Sequence, residues 1–79
     1  MVKHSVVNLA LIKCLRIDKN ISVEEMSKMM GYQGYQGYYY KENGTRKMSA
    51  DDIAKISVIL EVPINELFFE NEVTKTETL

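Results

Sequence analysis

The side chains best suited to recognition chemistry in this 79-residue chain are concentrated in one segment. Residues 31–40, here called the tyrosine segment, read GYQGYQGYYY and contain all five tyrosines of the protein. Three interpretations compete: a low-complexity, aggregation-prone patch, rings that cover a small core, or a presented surface. The first is disfavoured, because the ten residues stand between two well-capped helices. A presented surface would offer glutamine, which can read adenine edges in a DNA groove, and tyrosine, which can donate to phosphates. We expect Tyr38 above all to lie in the core.

Combinations of residues that carry out catalysis or bind metals are missing from the sequence. The only cysteine, Cys14, and the only histidine, His4, form no zinc-binding spacing, and one cysteine cannot form an internal disulfide. The acidic pairs at 24–25 and 51–52 fall in predicted first turns of helices, where the helix dipole accounts for them. We therefore expect no enzymatic activity, no cofactor and no metal, and a buried, small apolar role for Cys14.

Charge is unevenly distributed along the chain. The net charge is −1, yet residues 1–47 carry eight Lys and Arg against four Asp and Glu, which gives +4. Residues 48–79 carry two Lys against seven Asp and Glu, which gives −5. The asymmetry favours a cationic working surface with an acidic remainder, and a merely solvated face of uneven charge is the alternative.

Length and hydrophobicity indicate one small domain. No apolar run approaches the roughly 18 residues that a transmembrane helix needs, and the N-terminal residues lack the apolar stretch of a signal peptide. The hydrophobic share of 46% is that of an ordinary globular protein. We expect a cytoplasmic protein with no membrane partner.

The spacing of apolar residues predicts an all-α fold of five short helices and no sheet. The first helix is predicted over residues 5–18, with Ser5 as its cap. The second is predicted over residues 22–30, where Ser22 and Glu25 would form a capping box.

The second half of the chain contains two further helix signals. A helix is predicted to begin at Ser49 and to end before Pro63, which would open a short final helix through residue 69. Residues 70–79 are rich in Thr and Glu. We therefore expect a domain over residues 1–69 and a flexible acidic tail over residues 70–79.

The order of these signals resembles a known family of DNA-binding domains. Residues 21–31 read ISVEEMSKMMG, residues 38–44 read YYYKENG, and residues 49–68 supply the signals of two further helices. This arrangement resembles the phage repressor/Cro-type (Xre-type) helix-turn-helix family over about residues 8–69. The resemblance implies a compact five-helix bundle of the lambda-repressor type, in which the helix at 22–30 crosses the DNA backbone.

The resemblance also implies roles for individual residues. The helix over residues 34–43 would be the recognition helix, and its contacts with bases or groove walls would come from Gln33, Tyr35, Gln36, Tyr39 and Tyr40. Phosphates would be contacted from the second helix, the recognition helix and the loop that follows it, by Lys28, Lys41, Thr45, Arg46 and Lys47. Lys41 stands where an apolar core residue is usual, so its long side chain must extend to solvent or meet a partner.

Three further positions carry structural expectations. Arg16 and Glu42 match an ion pair that ties the first helix to the recognition helix. Phe68 and Phe69 are expected to form the interface of a homodimer. Val23 stands where family members often carry a glutamine that touches phosphate.

The resemblance favours a sequence-specific regulator that binds double-stranded DNA. The simplest form is a repressor that acts as a homodimer on a two-fold related operator. The alternative is a protein-interaction module on the same fold, of the antitoxin or anti-repressor type, whose tyrosine segment binds a protein partner.

Overall fold

Four α-helices and one short 3₁₀ helix form the domain. The computed structural model describes residues 6–69. The expected cap Ser5 and the expected acidic tail over residues 70–79 lie outside the described residues. The helices are α1, Leu9–Asp18; α2, Val23–Met29; α3, Gln36–Glu42; and α4, Ala50–Leu60; the 3₁₀ helix spans Ile64–Leu67. The all-α prediction is confirmed.

The predicted count of five helices is wrong, because the last element is only a single 3₁₀ turn. The backbone N–H of Glu66 donates to the carbonyl of Pro63 at 3.0 Å, three residues back. The chain is already extended at Phe68, where φ is −114° and ψ is 153°. Phe68 there forms an antiparallel bridge with Val7, and the N–H of Phe69 donates to the carbonyl of Val6 at 2.8 Å. This pairing ends the helix after one turn.

The same pairing delays the start of α1. Val7 is extended against Phe68, so the helix begins at Leu9 rather than at residue 5. The side chain of Asn8 caps it by accepting from the N–H of Leu11 at 3.0 Å. The start of α1 is therefore set by a contact with the other end of the domain.

The caps of α2 and α4 follow from local sequence. Ser22 and Glu25 form the expected capping box, in which the Ser22 hydroxyl accepts from the Glu25 N–H at 3.0 Å and the Glu25 carboxylate accepts from the Ser22 N–H at 2.9 Å. Ser49 and Asp52 repeat the arrangement at the start of α4. Both helices thus begin where the sequence predicts.

The core is small and receives side chains from every helix. Cys14 lies outside it and is exposed, contrary to expectation. It is two residues, or about 200° around the helix, from each of the buried residues Ile12 and Arg16. The buried apolar residues are Ile12, Met26, Met30, Tyr38, Ile53, Ile56, Leu60 and Leu67.

The connection between α2 and α3 determines where α3 can begin. The Ser27 hydroxyl donates to the carbonyl of Gly34 at 2.6 Å, and the N–H of Tyr32 donates to the carbonyl of Ser27 at 3.0 Å. Gly34 has a φ of +83°, which no residue of a right-handed helix adopts. For this reason α3 starts at Gln36 rather than at the predicted residue 34.

Candidate nucleic-acid interface

The outer face of the α2–α3 unit exposes polar and aromatic side chains next to one another. Gln33, Tyr35, Gln36 and Tyr39 are exposed, and Tyr40 is half-buried. The rings of Tyr35 and Tyr39 lie 5.8 Å apart between centroids, and those of Tyr39 and Tyr40 lie 5.4 Å apart, both tilted. The three rings therefore form one continuous aromatic surface beside two amide side chains.

The tyrosine segment divides into a buried part and a presented part. Tyr38 is completely buried among the core residues, as expected, while Tyr35 and Tyr39 are 48% and 40% exposed. Residues 36–40 of the segment lie in the ordered helix α3. The structure thus places Tyr38 in the core and Tyr35 and Tyr39 at the surface.

A buried ion pair fixes α3 to α1. The Nε atom of Arg16 donates to Oε2 of Glu42 at 2.8 Å, and its Nη2 atom donates to Oε1 at 3.1 Å. The Tyr38 hydroxyl donates to the same carboxylate at 3.0 Å, and Nη1 of Arg16 donates to the carbonyl of Ile21 at 2.7 Å. The side chains of Arg16 and Glu42 are 7% and 6% exposed. A two-point contact between planar groups holds α3 in one orientation.

The electrostatics of this cluster favour its charged form. The hydrogen bond to Glu42 raises the pKa of the Arg16 guanidinium. Burial, with the adjacent Glu42 charge, raises the pKa of the Tyr38 hydroxyl far above its usual range, so it stays protonated and donates. Buried charges that are paired and hydrogen-bonded in this way are costly to separate.

A second cluster connects α3 with α4 and with the turn. Nζ of Lys41 donates to Oδ2 of Asp52 at 2.5 Å and to the Tyr32 hydroxyl at 2.8 Å. The Tyr32 hydroxyl in turn donates to Oδ1 of Asp52. Asp52 also accepts from the N–H of Ser49 at 2.9 Å, so one carboxylate both caps α4 and binds α3. Lys41 has thus met a partner rather than extending to solvent.

The ionisation of this second cluster follows from its contacts. Burial alone would raise the pKa of the Asp52 carboxyl, but hydrogen bonds from Lys41, Tyr32 and Ser49 hold that pKa below its usual range. Hydrogen bonds to Asp52 and Tyr32 raise the pKa of Lys41. Lys41 is thus held by the domain itself, which makes it a poorer phosphate contact than its charge suggests.

Gly37 allows the turn to pack against α3. A Cβ atom at this position would lie 2.7 Å from Cβ and 2.8 Å from Cγ of Tyr32, closer than such atoms approach. The glycine therefore seats the Tyr32 ring on the helix, from where its hydroxyl reaches Asp52. The space above Gly37 is thus filled by a side chain of the same chain.

The loop after α3, residues 45–47, here called the basic loop, carries exposed cations. Thr45, Arg46 and Lys47 are all exposed. The Arg46 N–H donates to the carbonyl of Tyr40 at 2.9 Å, which holds the loop against the end of α3. Lys28 is exposed near the end of α2. Among residues 6–69, no carboxylate lies within 4.0 Å of the charged groups of Lys28, Arg46 or Lys47.

The remaining predicted site residues lie away from α3. Phe68 is half-buried against the core, and Phe69 is 53% exposed. Val23 packs against the core from the first turn of α2, so an apolar side chain there contributes to folding.

Tyr32 and Asp52 support the site, and sequence reasoning missed them. Two signals could have indicated them: a lysine at an expected core position, and the Ser49-x-x-Asp52 pattern of a capping box.

Two short helices, α2 and α3, joined by the connection over residues 30–35, agree with a helix-turn-helix. Residues 12–69 match the family model described as the Cro/C1-type HTH DNA-binding domain. The chain belongs to this family. The resemblance inferred from the sequence is thereby confirmed, and DNA is the partner that the family supports. No curated protein and no solved structure matches the chain.

Within this Cro/C1-type domain, the helix-turn-helix consists of α2, the connection over residues 30–35, and α3. Both clusters described above act on α3, one from α1 and one from α4. Within residues 6–69, no helix has the length and apolar character needed to cross a membrane.

The ion pair to α3 can be tested by changing Glu42→Gln. The amide keeps the shape of the side chain but leaves the buried Arg16 charge uncompensated, so we expect the free energy of unfolding to fall by about 3 kcal/mol or more. Urea denaturation followed by circular dichroism measures this change.

Glu61→Gln is the matched control, since it makes the same chemical change in the exposed Lys19–Glu61 pair, whose Glu61 side chain is 76% exposed. That variant should change the unfolding free energy by less than about 1 kcal/mol. Equal effects of the two changes would contradict a special role for the buried pair.

Proposed function

We propose that this Cro/C1-type domain is a sequence-specific regulator that binds double-stranded DNA and represses transcription by occupying a promoter. The observation that carries the proposal is the group of exposed amide and tyrosine side chains over residues 33–39, before and along α3, together with the exposed cations of the basic loop. We expect it to act in the cytoplasm and without enzymatic activity.

The residues divide into those that read bases and those that bind phosphate. Gln36 begins α3, and Gln33 and Tyr35 lie just before it, at the end that enters the major groove in this docking geometry. Tyr39 and Tyr40 follow one turn later and would lie along the groove wall. Lys28 and the basic loop would bind phosphates. We assign Lys41 to positioning α3, because Asp52 holds its ammonium group.

Phosphate binding by the basic loop can be measured through its salt dependence. Each phosphate contact contributes about 0.9 to the slope of log affinity against log salt concentration. We expect the Arg46→Ala/Lys47→Ala variant to bind random duplex DNA more weakly. The slope is negative, and its magnitude should fall by about 2. Fluorescence anisotropy at several salt concentrations gives both quantities.

Lys19→Ala is the control for this experiment, because it also removes a cation, but one that is paired with Glu61. It should leave the slope unchanged. The proposal fails if wild-type protein shows no binding at low salt, or if binding is indifferent both to salt and to the double substitution.

Base reading by Gln36 calls for a separate experiment. A glutamine that contacts adenine with two hydrogen bonds contributes about 1–3 kcal/mol of discrimination, or roughly 5- to 150-fold. Binding-site selection with wild type and with Gln36→Ala should therefore show relaxed preference at one position of each half-site.

Lys28→Ala serves as the contrast, since loss of a phosphate contact weakens binding to all sequences alike and leaves the selected motif intact. An unchanged motif with Gln36→Ala would remove Gln36 from the base-reading residues.

We propose a homodimer whose interface includes Phe68 and Phe69. Phe69 presents an exposed ring at the end of the described residues, next to the Val7–Phe68 bridge. A dimer would place two recognition helices on half-sites about one helical turn, or roughly 34 Å, apart.

This interface predicts that Phe69→Glu yields monomers in analytical ultracentrifugation. Ile17→Glu is the matched control, because Ile17 is an apolar residue of the same 53% exposure on α1. A dimer that persists in Phe69→Glu, or that is lost equally in Ile17→Glu, would place the interface elsewhere.

A protein-interaction module is the second candidate. The exposed tyrosine rings and the net charge of −1 favour it, because aromatic surfaces of this kind are common in protein interfaces. The exposed cations of the basic loop favour DNA, and this is why we prefer the regulator.

A further inference from the structure

A groove beside the basic loop lies between the N-terminal end of the described residues and the segment over residues 41–48. It has a volume of about 470 Å³. Its apolar wall comes from the N-terminal residues Val6, Val7 and Leu9 together with Met48, and Arg46 and Lys47 line it as well. We call it the loop groove. It combines apolar surface with two cations that we assign to phosphate binding, so whatever fills it will affect binding to DNA.

The chain itself continues from the edge of this groove. The N–H of Phe69 donates to the carbonyl of Val6 at 2.8 Å, and Val6 is one of the lining residues. Residue 70 therefore follows directly from a residue that is bonded to the groove wall. Ten residues of extended chain reach about 33 Å, so residues 70–79 are long enough to lie across it.

The composition of residues 70–79 complements the groove. The segment carries Glu70, Glu72 and Glu77 against a single lysine, a net charge of −2, and includes the apolar residues Val73 and Leu79. The two cations of the groove would attract the net negative charge of the segment. The valine and leucine side chains that line the groove would pack against Val73 and Leu79. The same segment could not serve the exposed α3 surface equally well, because that surface offers tyrosine and glutamine rather than cations.

We propose that residues 70–79 bind the loop groove and compete with DNA for Arg46 and Lys47. This inference rests on the proposed phosphate-binding role of the basic loop. A segment tethered so closely has an effective concentration of the order of millimolar, so even a weak intrinsic contact would be substantially occupied. The apparent affinity for DNA is then reduced by the fraction of molecules in which the groove is open.

The first arm of the test measures docking without DNA. Backbone amide chemical shifts are compared between wild type and the Glu70→Gln/Glu72→Gln/Glu77→Gln variant. We expect shift changes at residues 6–9 and 44–48, and none that depend on protein concentration. Changes confined to the neighbours of residue 70, or changes that vary with concentration and thus indicate a second copy, would overturn the proposal.

The second arm measures binding to random duplex DNA at low salt. Neutralising the three glutamates should increase affinity about three- to tenfold, and this gain should disappear in the Arg46→Ala/Lys47→Ala background. The matched control is Asp51→Asn/Glu61→Gln/Glu66→Gln, which neutralises three exposed carboxylates elsewhere. An equal gain from the control would show a general charge effect and overturn the proposal.

The two arms separate this inference from the proposed function. If no variant binds DNA, the regulator proposal fails, while the chemical shifts still report whether the segment docks. If DNA binds but the shifts of residues 44–48 are identical in both proteins, the regulator proposal stands and the docking proposal fails.

Discussion

The carboxylate of Glu42 receives three hydrogen bonds inside the domain, and the orientation of α3 depends on them. A helix of seven residues does not persist on its own, so its position must come from tertiary contacts. Two of the donors belong to the planar guanidinium of Arg16 and one to Tyr38 of α3 itself. Rotation of α3 about its axis would break this geometry. The face that α3 presents to solvent is thus determined by chemistry on its opposite side.

Polar contacts supplement a core that holds eight buried apolar side chains among residues 6–69. Asp52 joins α4 to α3 by binding Lys41, just as Glu42 joins α3 to α1 by binding Arg16. Asp52 also completes the cap of its own helix. Tyr32 joins the same group from the turn, seated on Gly37. Helix α3 is consequently held from two sides, through its own Glu42 and through Asp52 of α4. A small domain buries little apolar surface, so polar contacts of this kind contribute an important part of its stability.

Features that depend on neighbouring residues could be predicted from the sequence, and those that depend on distant contacts could not. The capping box of α2 and the start of α4 were predicted correctly because Ser22 and Ser49 act within three residues. The start of α1 and the missing fifth helix were predicted wrongly because both depend on the pairing of Val7 with Phe68. Cys14 was wrongly predicted to be buried, because the apolar stripe of the first helix was extended to a residue that lies on its exposed side.

The candidate site followed from the family resemblance more than from physics. The residue types of the tyrosine segment indicated a core role for Tyr38 but did not show which other rings are presented, and the exposure of Tyr35 and Tyr39 separates these roles. The sequence did not identify Asp52 as the partner of Lys41, because the two residues are eleven positions apart. The helix dipole already accounted for an aspartate in the first turn of α4.

The Val7–Phe68 bridge places the two ends of the described fold side by side. A short linker could therefore join residue 6 to residue 69, and the chain could be reopened at an exposed loop without changing the order of helices in space. The chain before residue 6 and the chain after residue 69 leave the described fold at the same edge, close to the basic loop. The domain is consequently better placed to have its basic loop shielded by an attached segment than to have its α3 surface covered by one.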